Sequence, residues 1–82
     1  MEIHLIQGEF NPQDALDLVT KMIHVKIKYH ESKISENSSE EDIKYRETKI
    51  KKLQKELYDF RKGIDEKVKC IRLNSTVQIE SK

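Results

Sequence analysis

The sequence is poor in the residues that carry most recognisable functional chemistry. Its 82 residues include one cysteine, one proline, two glycines and no tryptophan. A single cysteine can form neither an intrachain disulfide nor a cysteine zinc cluster, so we expect a reducing, cytoplasmic environment. No segment approaches the ~20 consecutive apolar residues of a membrane span, and the N-terminus carries Glu2 and Glu9 where a signal peptide is basic. These absences predict a soluble protein with no membrane partner.

The charge is almost balanced, with 16 Lys and Arg residues against 15 Asp and Glu residues. Charged residues make up 38% of the chain and hydrophobic residues 35%, which is typical of paired helices with hydrated outer faces. A chain of this length buries only roughly 60% of the surface that it exposes when unfolded. Small chains commonly gain the missing stability by associating with further copies. We therefore expect one small domain that forms a homodimer or a higher homo-oligomer.

The N-terminal part of the chain predicts a strand followed by a helix. Polar and apolar residues alternate over residues 2–7, which indicates a strand with one hydrated face. Asn11 is a good N-cap, and Pro12 suits the first helical position because its missing N–H has no intrahelical partner there. We predict the first helix over residues 12–34.

A second helix is predicted over residues 40–63, after a polar loop at residues 35–39. Ser38 and Glu41 have the spacing of a capping box. A heptad seam runs along this helix through Ile43, Arg46, Ile50, Leu53, Leu57, Phe60 and Ile64. Gly63 is expected to end the helix in the left-handed conformation, although the apolar residues that follow would also allow continuation into the seventies. The two helices should form an antiparallel hairpin.

The two helices can be registered against each other. Aligning Leu16 with Phe60 and Val19 with Leu57 places His30 opposite Arg46, the one polar layer of the seam. This layer either fixes the register of the hairpin or forms a buried site for an anion or carboxylate. We favour the first interpretation, because polar residues in a seam commonly specify register.

The C-terminal part predicts two further strands, residues 68–73 and 76–80, separated by the turn-like pair Asn74 and Ser75. Short strands are not stable alone in water, so the N-terminal strand should pair with a C-terminal strand at the base of the hairpin. The expected fold class is α+β, in the order β-α-α-β, with a third strand as an option.

The first helix carries more apolar surface than one partner helix can cover. A second apolar row lies beside the hairpin seam. We predict that this row forms the oligomer interface; its members are Ala15, Leu18, Met22, Val25 and Tyr29.

Residues suited to catalysis or metal binding are few and scattered. The three histidines show no metal-ligand spacing, and no phosphate loop or nucleophile motif occurs. Lys26, on the apolar side of the first helix, is better explained as a long side chain that reaches solvent than as a nucleophile. Cys70 is expected to be a small core residue and not a reactive thiol. We therefore expect no catalytic residues, no metal, no cofactor and no enzymatic activity.

The strongest alternative is nucleic-acid binding through the second helix. Residues 44–55 hold six positive side chains against one acid. A basic stripe on one face of this helix could contact phosphates, and its members are Lys44, Lys51, Lys55 and Lys62. Acidic residues bracket the stripe and aromatic residues amount to only 6%, so a solvated helix face explains it better.

The function that these patterns favour is a small non-enzymatic, homo-oligomerising protein-interaction module, open to a protein partner of different sequence. A nucleic-acid-associated protein is the first alternative, and nucleic acid is the less favoured partner. A small enzyme with a site completed between subunits is the second alternative.

Overall fold

The computed structural model describes all 82 residues. Its elements follow one another as β1 (Glu2–Phe10), α1 (Pro12–Ser32), α2 (Glu40–Gly63) and β2 (Ile71–Gln78). The two strands pair antiparallel in a two-stranded sheet, and α1 packs against α2. This arrangement confirms the α+β helical hairpin with paired terminal strands, and the sheet has no third strand.

Side-chain caps set where both helices begin. The Asn11 side chain accepts a hydrogen bond from the backbone N–H of Asp14 at 2.8 Å, as the sequence predicts. At α2 the cap is Ser39, which accepts from the N–H of Asp42 at 3.1 Å. The prediction of a capping box at Ser38 was therefore wrong by one residue, because Ser38 instead accepts from the N–H of Ser35 at 3.0 Å and closes the loop.

The helix ends also differ in detail from the prediction. α1 ends at Ser32, two residues before the predicted end, and α2 ends at Gly63 without continuing into the seventies. Gly63 is not left-handed, so that part of the prediction was wrong; Gly8 is the one residue with positive φ. The chain leaves α2 at Ile64 in an extended conformation, with φ −89 and ψ 111. The extended conformation of Ile64 ends the helix, so a left-handed residue is not required to end it.

The C-terminal segment forms one strand where two were predicted. Asn74 pairs with Gln7 and Ser75 with Ile6, so the expected turn residues are ladder residues of β2. The reason is tertiary: one continuous strand, β1, supplies backbone partners to residues on both sides of Asn74 and Ser75 and to these two residues themselves. Leu5 has no partner and forms a β-bulge in β1.

The two faces of the sheet differ sharply in polarity. One face carries three polar cross-strand pairs. They join Arg72 to Glu9 at 2.8 Å, Gln78 to Glu2 at 2.9 Å and His4 to Thr76 at 3.3 Å. By strand alternation and pairing, the opposite face carries Ile6, Phe10, Ile71, Leu73, Ile3 and Val77. Only the first four of these apolar residues are half-buried against the rest of the chain, whereas Ile3 and Val77 are exposed.

The protomer has almost no interior. Only Ala15, Leu57 and His30 are buried. The radius of gyration over Cα atoms is 15.7 Å, whereas a globular domain of this length has about 12 Å. Neither helix combines the length and apolar composition that crossing a bilayer requires. Most apolar side chains of this chain are therefore only partly covered by its own elements.

Candidate functional site

The polar layer predicted from the seam is present between α1 and α2. Nη1 of Arg46 lies 3.0 Å from Nδ1 of His30. His30 is 6% exposed and is the one buried polar side chain of the protomer. The predicted register thus brings these two residues into direct contact.

The identity of Arg46 fixes the protonation of the His30 ring. A guanidinium can only donate hydrogen bonds, so Nδ1 of His30 must accept and carries no proton. The neutral ring then holds its proton on Nε2, which is buried and has no hydrogen-bond partner. Burial first, and then the positive charges of Arg46, Lys26 and Lys49, lower the pKa of His30 below its ordinary value of 6.5. His30 is therefore neutral, and its buried Nε2–H has no acceptor among the atoms of the protein.

Aromatic rings from both helices surround the Arg46 guanidinium. Its Cζ lies 5.7 Å from the ring centroid of Tyr29 on α1 and 5.8 Å from that of Tyr45 on α2. Tyr29 also meets the His30 ring edge-on, with centroids 5.7 Å apart. Cation–π contacts of this kind hold a guanidinium in place. The layer is therefore an organised cluster of residues from both helices.

The predicted interface row divides into a covered part and an uncovered part. Ala15 is fully buried within the protomer, so it belongs to the interior. Leu18 and Met22 are half-buried. Val25 and Tyr29, further along α1, are 70% and 52% exposed. The row thus passes from a buried residue at the start of α1 to exposed residues towards its end.

An apolar groove lies where the sheet meets the hairpin. Its volume is about 300 Å³. The lining is mainly apolar and comprises Ile6, Val19, Met22, Ile23, Glu56, Leu73, Asn74 and Ser75. Met22 lines this groove from α1, and the exposed residues Val25 and Tyr29 follow it along the helix. The apolar face of the sheet starts from the same groove at Ile6 and Leu73.

Sequence reasoning did not identify the sheet as part of this surface. The exposed apolar residues within the two strands or next to their ends are Met1, Ile3, Leu5, Val77 and Ile79. The alternation over residues 76–80 was a usable signal, because it places Val77 and Ile79 on one face. Their exposure could not be read from that pattern, since it depends on how far the sheet extends past the helices.

The basic stripe of α2 is exposed along its whole length. This description applies to Lys44, Lys51, Lys55 and Lys62. None of these ammonium groups has a carboxylate within 4.0 Å, and Nζ of Lys62 lies 5.3 Å from the ring centroid of Tyr58. The stripe is therefore accessible to solvent and to any polyanion that approaches α2.

Cys70 lies just before β2 as a free, exposed thiol and is not the core residue that the sequence suggested. Desolvation of the thiol by neighbouring atoms and its 3.5 Å hydrogen bond to the Glu9 carboxylate raise the pKa of Cys70, and the positive charge of Arg72 opposes this only in part. A raised pKa reduces the thiolate fraction at neutral pH. No three His, Cys, Asp or Glu side chains come together in a group that could hold a metal ion.

Comparisons with protein-family models, with curated proteins and with solved structures find no match for this chain.

Proposed function

We propose that this chain is a small non-enzymatic interaction module whose main partner is a second copy of itself. The observation that carries the proposal is the uncovered apolar surface that continues from the groove in two directions. One branch follows α1 through Val25 and Tyr29, and the other follows the sheet through Ile3 and Val77. Exposed apolar surface of this extent is characteristic of interaction sites.

The accessible area supports a second copy as the occupant. The protomer exposes 7066 Å², whereas a compact monomer of 9.8 kDa exposes about 5,200 Å². The excess is about 1,900 Å², and a stable interface of standard size buries about 800 Å² per partner. One symmetric interface would therefore fit within the excess area and would complete the core that the protomer lacks.

Light scattering coupled to size exclusion at micromolar concentration tests the proposal. We expect a mass of at least twice the 9.8 kDa of the chain. Val25→Glu should shift the protein to monomer, because the partner would desolvate an unpaired carboxylate. Val25 is 70% exposed in the protomer, so the substitution leaves the protomer fold intact.

Thr48→Glu is the matched control, because Thr48 is an exposed β-branched residue on the outer side of α2. It adds the same charge away from the proposed interface and should leave the mass unchanged. A wild-type protein that stays at the monomer mass would refute the proposal, as would equal effects of the two variants.

The alternative of a nucleic-acid-associated protein draws its support from the basic stripe of α2. Its lysines are exposed and lack carboxylate partners. The stripe lies on a regular helix, so successive phosphates could be contacted along one side. The nearly neutral charge of the whole chain weighs against it. We also propose a reducing, cytoplasmic environment, because a chain with one cysteine has no intrachain disulfide to maintain.

A further inference from the structure

A cationic cavity lies on the flank of the hairpin, beside the His30–Arg46 layer. Its volume is about 110 Å³. Six residues from the two helices line it: Lys26, His30, Lys49, Lys52, Leu53 and Glu56. Three of them are lysines and one is an acid, so the fixed charge of the lining is positive. Arg46 contacts Nδ1 of His30 and adds a further positive charge next to the cavity.

The three lysines of the cavity are not neutralised by the protein. The only ion pairs within 4.0 Å join Lys21 to Asp17 and Arg72 to Glu9, both outside this cavity. Nζ of Lys49 lies 5.4 Å from the ring centroid of Tyr45, a contact that positions the ammonium and leaves its charge intact. A cluster of unpaired cations around one cavity raises its affinity for anions.

His30 supplies an independent indication of the kind of ligand. Among the lining residues it alone has a buried polar atom without a hydrogen-bond partner. Nδ1 of His30 already accepts a hydrogen bond from Arg46. The ring proton is therefore on Nε2, and this N–H is the group that still needs an acceptor. Buried donors are normally satisfied in native proteins. A ligand that binds beside this donor would satisfy it by offering an acceptor oxygen, and the surrounding lysines favour an acceptor that carries negative charge.

The size of the cavity points to a polyatomic anion. A volume of about 110 Å³ is several times the ~10–15 Å³ that one water molecule requires. The lining lysines outnumber Glu56 by two, which matches a phosphate monoester, whose charge at neutral pH is about −1.5 to −2.

We propose that this cavity binds the phosphate group of a small molecule, with Nε2–H of His30 and the ammonium groups of Lys26, Lys49 and Lys52 as donors. The proposal does not depend on dimer formation, because both helices that line the cavity belong to one chain. Glu56 also lines the apolar groove, so the organic part of such a ligand would lie towards the groove.

Titration of the nitrogen-labelled full chain with inorganic phosphate tests the proposal, with chloride at matched ionic strength as the reference. The imidazole resonances report both binding and tautomer. We expect the His30 ring to carry its proton on Nε2 and to shift saturably with phosphate. His4 and His24, which are exposed and do not line the cavity, serve as internal references and should not shift saturably.

Two adjacent lysines provide a matched pair of variants. Lys52 lines the cavity and Lys51 does not, yet both are exposed residues of α2, so neither substitution threatens the fold. Lys52→Gln should weaken phosphate binding about five- to tenfold, and Lys51→Gln by less than about twofold, because only the first removes a charge-assisted contact.

Three outcomes would overturn the proposal. The first is a His30 resonance that does not respond to phosphate. The second is a response that chloride reproduces at the same ionic strength, which indicates screening and not binding. The third is equal weakening by the two variants, which assigns the effect to the overall charge of α2.

Discussion

Arg46 on α2 donates a hydrogen bond to Nδ1 of His30 on α1 across 3.0 Å, and this contact joins the two helices through a side chain that is almost fully buried. The pair has two consequences. It fixes one register of the hairpin, because a shift of either helix would leave a guanidinium partly buried without its acceptor. It also holds the imidazole neutral, since Nδ1 cannot be protonated while it accepts from Arg46.

The stability of the protein should fall as the pH decreases below 6.5, the ordinary value of a histidine pKa. Burial and neighbouring positive charges lower the pKa of His30 in the folded state, so between the two values the unfolded chain binds more protons than the folded one. This contribution is complete above 6.5 and is lost as the pH falls through the lowered pKa. Urea denaturation between about pH 8 and about pH 5 measures it.

His30→Gln separates this effect from other titrations. The slope of stability against pH in that range should flatten in His30→Gln and persist in His24→Gln, because His24 is exposed. An unchanged slope in His30→Gln would show that other groups are responsible.

The two glycines should respond to alanine in opposite directions. Gly8 has φ of 139°, which an L side chain rarely adopts, and Gly63 has an ordinary helical backbone. A Cβ at either position would meet nothing within 4 Å, so packing does not enter. Gly8→Ala should destabilise the chain by about 1–3 kcal/mol, and Gly63→Ala should stabilise it by up to ~1 kcal/mol. Thermal denaturation of the two variants measures these changes in stability. Changes of the same sign in both variants would contradict the prediction.

Nucleic-acid binding by the basic stripe should be weak at physiological salt. Acidic residues bracket the stripe, and phosphate contacts alone give sequence-independent affinity that falls steeply with salt. Fluorescence anisotropy with short single- and double-stranded DNA and RNA measures this, using Lys51→Glu with Lys55→Glu as the test variant. Lys28→Glu with Lys69→Glu is the control, because both lysines are exposed and lie outside the stripe.

Tight binding in this assay would reverse the order of the two functions. Submicromolar, salt-sensitive affinity that is lost in the stripe variant and retained in the control would make the nucleic-acid-associated protein the leading proposal.

The periodicity of the sequence determined the fold class. The heptad spacing of α2 and the cap at Asn11 depend on local geometry, so they could be read without knowing the rest of the structure. The register that placed His30 opposite Arg46 followed from matching two seams, and the structure places these residues in contact. Local rules failed at Asn74 and Ser75, where turn propensity was overridden by the backbone partners that β1 offers.

The surfaces were decided by tertiary structure alone. The row on α1 was visible from its spacing, but Ala15 is buried and Val25 is exposed, a difference that no pattern within the helix could indicate. The cavity beside His30 combines Lys26 with Lys49 and Lys52, residues distant in sequence that the hairpin brings together. Sequence periodicity assigns a residue to a face of its own element, whereas coverage and charge clustering depend on the positions of the other elements. The sequence by itself therefore determined the hairpin and its polar layer, and only the packing of the sheet and two helices decided which apolar and cationic groups remain open to a partner.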